Sequence, residues 1–170
     1  SSDNNIISNS NSGNIIATAG DSGEALGIYS NGDFNTITNS GVIAASAGYN
    51  GWAAGITYFN WYSSFSDEIN KITNYGTITA TTGVNGDAFG ILSLSNYNDI
   101  INSGNIYATT GGGYAYGIAS DGDFNTITNS GNITVTEGAG GDAYGIASYG
   151  NDNTITNSGN ITVTGGAGGD

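Results

Sequence analysis

The chain has 170 residues, 37% hydrophobic and 9% charged, with 30 Gly and no Pro, Cys or Met. Its 14 acidic residues face one basic residue, Lys71, for a net charge of −13. Nucleic acid and anionic membrane surfaces are thereby excluded as partners, since both need a cationic footprint, and without Cys there are no disulfides or thiolate metal sites.

No apolar run reaches the roughly 18 residues of a spanning helix, so no membrane insertion is expected. The N-terminus Ser1-Ser2-Asp3-Asn4 has no basic n-region, which implies that any signal peptide has been removed. Ala-Leu-Glu-Lys stretches of helical period are absent, and the chain reads as all-β.

An Asn-x-Ile-x-Asn-Ser-Gly phrase, with variations, recurs with its glycine at Gly13, Gly41, Gly76, Gly104, Gly131 and Gly159. Subtracting successive positions gives intervals of 28, 35, 28, 27 and 28 residues, the range in which a fixed period means a solenoid. The repeats span approximately 5–34, 35–69, 70–97, 98–124, 125–152 and 153–170, together one domain over 1–170 or a segment of a longer solenoid.

Each repeat contains three strand signals, clearest in the fifth. Ile127 lies between Thr126 and Thr128; Ile133 and Val135 alternate with Asn132, Thr134 and Thr136; then Tyr144 and Ile146 alternate with Ala143, Gly145 and Ala147. Period-2 alternation marks strands with one wet face. Tandem units of this length pair most simply with their counterparts one turn on. The expected fold is therefore a parallel β-helix of about six turns of ~28 residues, with three strands per turn and a roughly triangular section.

Three isoleucine columns form the expected core: Ile37, Ile72, Ile100, Ile127 and Ile155; Ile15, Ile43, Ile78, Ile106, Ile133 and Ile161; Ile28, Ile56, Ile91, Ile118 and Ile146. Ala17, Ala45, Ala80, Ala108, Val135 and Val163 join them. Alternation from isoleucine places the column Leu26, Ala54, Phe89, Tyr116 and Tyr144 inside as well, although the sequence leaves open whether it faces in or out. One turn alone buries too little to fold, so stability belongs to the interfaces between turns.

Asparagine marks the corners. Asn11, Asn39, Asn74, Asn102, Asn129 and Asn157 stand two residues before each repeat glycine, and Asn35, Asn70, Asn98, Asn125 and Asn153 open each first strand. The expected role is structural: left-handed backbone angles at the corners and amide ladders between turns.

The corner Gly138-Ala139-Gly140-Gly141-Asp142 loosely resembles the calcium-binding nonapeptide of toxin-type β-rolls. Its acidic column reads Glu24, Trp52, Asp87, Tyr114, Asp142, Asp170, interrupted twice by aromatics. No cofactor is expected, and calcium only incidentally, near Asp121, Asp123, Asp142, Asp152 and Asp170. Outward Thr pairs such as Thr134/Thr136 and Thr162/Thr164 raise ice binding as a remote alternative, but Ala44/Ser46 and Tyr107/Thr109 break the array. With no His, no Arg and no converging carboxylates, no enzyme is expected.

The long second repeat carries about seven extra residues within 58–68. Its aromatic residues Tyr58, Phe59, Trp61, Tyr62 and Phe65, near Trp52, form a candidate contact loop for a neutral glycan or another surface protein. The alternative is that this loop covers its own stack, with Lys71 paired to Asp67 or Glu68. Ser1 aligns just after a third strand and Asp170 just before one, with no cap at either end. Open ends template further pairing, so end-to-end self-association is expected. Residues 125–142 and 153–170 agree at 17 of 18 positions, differing only at Glu137 against Gly165.

Thr-Ile-Thr-Asn-Ser-Gly-Asn-Ile-Thr-Val-Thr followed by Gly-Gly-Asp-Ala-Tyr-Gly-Ile resembles the repeats of bacterial autotransporter passengers and related cell-surface adhesins. The resemblance covers nearly the whole chain, although no β-barrel translocator is present in it. It implies an extracellular or cell-surface structural or adhesive protein of prokaryotic origin.

Overall fold

A computed structural model describes residues 3–60 and 69–168. The first turn supplies β1 (Ile6–Asn9), β2 (Asn14–Thr18) and β3 (Glu24–Asn31), and the second β4 (Thr36–Asn39), β5 (Val42–Ala47) and β6 (Trp52–Phe59). The third contains β7 (Asn70–Asn74), β8 (Thr77–Thr82) and β9 (Asp87–Leu94), and the fourth β10 (Asn98–Asn102), β11 (Asn105–Thr110) and β12 (Ala115–Asp121). The fifth has β13 (Thr126–Asn129), β14 (Asn132–Glu137) and β15 (Ala143–Tyr149), followed by β16 (Thr154–Asn157) and β17 (Asn160–Thr164). No helix occurs among the described residues.

Every strand pairs in parallel with its counterpart one turn away. The first sheet runs β1-β4-β7-β10-β13-β16, the second β2-β5-β8-β11-β14-β17 and the third β3-β6-β9-β12-β15. The fold is a parallel β-solenoid of five complete turns and two strands of a sixth. Registers align like with like, as in Ile72↔Ile100, Ile100↔Ile127 and Ile127↔Ile155. Identical side chains one strand spacing apart leave no competing register, because a one-residue slip would turn every isoleucine outward.

The isoleucine columns fill the interior. Ile37, Ile72, Ile100 and Ile127 are buried with Ile43, Ile78, Ile106 and Ile133 and with Ile28, Ile56, Ile91 and Ile118, and Ile7 extends the first column by a turn.

The third sheet corrects the expected facing of the aromatic column. Ala25, Ala53, Ala88 and Ala115 point into the core, whereas Leu26, Phe89, Tyr116 and Tyr144 face out. The reason is the glycine that follows them. A Cβ on Gly27, Gly55, Gly90, Gly117 or Gly145 would collide with Cγ2 of Ile43, Ile78, Ile106, Ile133 or Ile161 across the core. Glycine and isoleucine thus lean inward in succession, which shifts the alternation by one residue as a bulge does. Counting back by twos from Ile146 therefore put Tyr144 on the wrong side.

The asparagine corners are ladders, with one change of membership. Asn9 Nδ2 donates to Asn39 Oδ1 at 2.8 Å, and the chain continues through Asn74, Asn102, Asn129 and Asn157 with amide–amide distances of 2.7–2.8 Å. The first member is Asn9 rather than Asn11, because residues 10–13 make a wider corner and Asn9 is the residue in register with Asn39. In the second column the Oδ1 of Asn35, Asn125 and Asn153 accepts the backbone N–H of Asn5, Asn98 and Asn125 respectively. Left-handed φ does not fall on the ladder asparagines. It falls on Asn50 and Asn85 at one corner and on Phe34, Tyr97 and Phe124, just before the second column, at another.

Candidate functional site

The outer faces of the three sheets differ in chemistry. Outward positions of the first two sheets are mainly Thr, Ser and Asn, with the ion pair Lys71 Nζ–Asp99 Oδ2 at 3.7 Å on the first. Asp67 and Glu68, the expected partners of Lys71, lie outside the described residues. On the second sheet, Tyr107 stands in register between Thr79 and Thr134 and interrupts the threonine rows.

The third sheet carries an aromatic groove. One wall is the outward column ending in Phe89, Tyr116 and Tyr144, whose rings stack at 5.1 Å and 2°, then 4.9 Å and 12°. Trp52 meets Phe89 edge-on at 5.6 Å. The floor is the column Thr57, Leu92, Ala119 and Ala147, outward in direction but buried beneath its neighbours. The far wall is Phe59, Leu94, Asp121 and Tyr149, and Tyr116 Oη lies 3.4 Å from Tyr149 Oη across the groove. Burial, then Tyr149, holds the Tyr116 phenol well above the ordinary tyrosine value. Desolvation and the Asp142 carboxylate push Tyr144 the same way.

Two hollows lie in this groove. One, of about 420 Å³, is lined by Glu24, Leu26, Tyr29, Trp52, Thr57 and Phe59. The other, of about 310 Å³, is lined mainly by Phe89, Leu92, Leu94, Tyr116, Asp121 and Tyr149.

The residues singled out from sequence divide between roles. Trp52 and Phe59 line the first hollow. Tyr58 is instead a core residue: alternation turns it inward, it is fully buried, and its hydroxyl donates to the Gly32 carbonyl. Burial, then Asp33, pushes its phenol up to about 12. Trp61, Tyr62 and Phe65 lie outside the described residues, as does Asp170.

Among the described residues no three acidic side chains converge as a metal site. Asp121 belongs to the groove, and Asp123 Oδ1 accepts the backbone N–H of Asn151 at 2.6 Å, tying two turns together. Asp142 accepts the Tyr144 hydroxyl at 3.3 Å, and Asp152 occupies a left-handed corner position. Glu137, the residue that distinguishes the fifth repeat from the sixth, is buried, and its two carboxylate oxygens accept Gly141 N–H at 3.1 Å and Gly166 N–H at 2.8 Å.

Ile155, Ile161 and Val163 are 47%, 37% and 43% exposed, whereas their counterparts one turn earlier, Ile127, Ile133 and Val135, are at 0–1%. No family model, curated protein or solved structure matches this chain.

Proposed function

We propose that this chain is a structural β-solenoid whose turns continue end to end into an extracellular surface fibre. The observation that carries the reading is the pairing of every turn with the next in the same register, isoleucine on isoleucine and asparagine on asparagine, a pattern that a further turn of the same repeat would extend. That further turn comes either from a continuation of the chain or from another copy. Parallel pairing would extend both hydrogen-bond ladders, and Asn157 would offer its amide to the next member of the asparagine ladder. The likeness to autotransporter passengers and surface adhesins, the acidic Thr-rich flanks and the absence of Cys agree with a non-enzymatic, cell-surface role in a prokaryote.

Six turns at about 4.8 Å make a rod of only about 29 Å. Electron microscopy of the 170-residue chain at neutral pH should show fibres many times that length, and Ile161→Asp with Val163→Asp should abolish them. Short isolated particles of the unmodified chain, with and without calcium, would overturn end-to-end stacking. A second reading, an adhesive stalk that contacts another surface protein, is supported by the aromatic groove of the third sheet.

A further inference from the structure

The groove of the third sheet lies on the side of the stack, away from the ends that the fibre reading uses. Its walls are apolar, yet each of its two hollows contains one carboxylate: Glu24 in the first and Asp121 in the second. Thr57, 2% exposed, lies in the floor of the first hollow, and its hydroxyl has no hydrogen-bond partner.

Three classes of occupant are open to such a groove, and two fit poorly. A neutral sugar needs open ring faces to stack on, but Phe89, Tyr116 and Tyr144 turn their faces on one another and present edges. A second copy packed face to face would meet acid with acid. Glu24, Asp87 and Asp142 run along one margin of the sheet and Asp121 lies on the other. A twofold along the stack sets one margin against the other, and a twofold across it sets each against itself. With a net charge of −13 per chain, both arrangements are repulsive.

We propose that the groove binds a cationic amphipathic peptide segment of a partner protein. Its apolar side chains seat in the two hollows, and its Lys or Arg heads pair with Glu24 and Asp121.

The test uses the full chain carrying Trp61→Phe, which leaves Trp52 as its sole tryptophan. An amphipathic Lys/Leu peptide, the same peptide with Glu for Lys, and cellohexaose are titrated while Trp52 emission is followed. The Lys/Leu peptide should shift the emission, more weakly at high salt, and the other two should not. Glu24→Gln with Asp121→Asn, both isosteric and checked by circular dichroism, should weaken binding about tenfold. The proposal is overturned if the Glu peptide binds equally, if only cellohexaose shifts Trp52, or if the double variant binds the Lys/Leu peptide unchanged. Sedimentation showing side-by-side pairs that the double variant tightens would assign the groove to a second copy and overturn it as well.

Discussion

Asn102 sits mid-ladder, fully buried, and its replacement tests whether the corner asparagines stabilise the stack. Its Nδ2 donates to Asn129 Oδ1 at 2.7 Å and to Gly104 O at 3.3 Å, and its Oδ1 accepts Asn74 Nδ2 at 2.7 Å. Asn102→Ala removes two good amide–amide bonds at about 1 kcal/mol each and orphans the buried Asn129 oxygen at about 1–3 kcal/mol, so the expected loss is about 3–5 kcal/mol. Asn102→Asp is the sharper variant. Its carboxylate still accepts from Asn74 but sets oxygen against Asn129 Oδ1, and only the protonated acid can donate there. Burial and this repulsion raise its folded pKa above the unfolded value of about 3.9. For a raised acid, stability is fully present below the unfolded pKa and is lost as pH rises through the folded one. The variant should therefore be destabilised at neutral pH and approach the parent near pH 4. Urea denaturation followed by circular dichroism at several pH values gives both numbers. A loss below about 1 kcal/mol for Asn102→Ala, or an Asn102→Asp deficit that stays constant from pH 7 to pH 4, would refute a hydrogen-bonded structural ladder.

Gly117→Ala should cost about 1–3 kcal/mol or more, because the new Cβ meets Ile133 Cγ2 and lies 2.5 Å from Gly145 O in the neighbouring strand. Combined with Ile133→Ala, the loss should be smaller than the sum of the single variants, and strict additivity would contradict the inward placement of this glycine. Ser93 and Ser120 are fully buried with hydroxyls that lack partners, so replacing either with Ala should leave stability unchanged or raise it by about 1 kcal/mol. A clear drop in the urea midpoint would mean that the hydroxyl holds a buried water. Tyr58 has its folded pKa raised to about 12 from 10.0, so its contribution is present below pH 10 and is lost as pH climbs toward 12. Thermal melts across that window should show a fall in stability that Tyr58→Phe reduces; an identical fall in the variant would remove Tyr58 as its cause.

Much of this architecture was legible in the sequence, because a solenoid repeats one local solution. The strand positions, the parallel pairing of each repeat with the next and the three isoleucine columns all follow from spacing and period-2 alternation. The asparagine ladder was legible too, except at its first member, where Asn9 and Asn11 are equivalent in composition and only the register with Asn39 distinguishes them.

The aromatic groove was hidden for a definite physical reason. Alternation assigns a side chain to a face only while the pleat is regular, and the glycine beside each third-strand isoleucine breaks it. Whether Gly117 leans inward depends on Ile133, which approaches from a different sheet of the solenoid, so no reading along one strand could decide it. The same coupling put Glu24 and Trp52 on the outer side, where they meet Thr57 and Phe59 around one hollow. Local periodicity by itself determined where the chain coils and what fills it. Only the packing of one sheet against another decided which surface it turns to the outside.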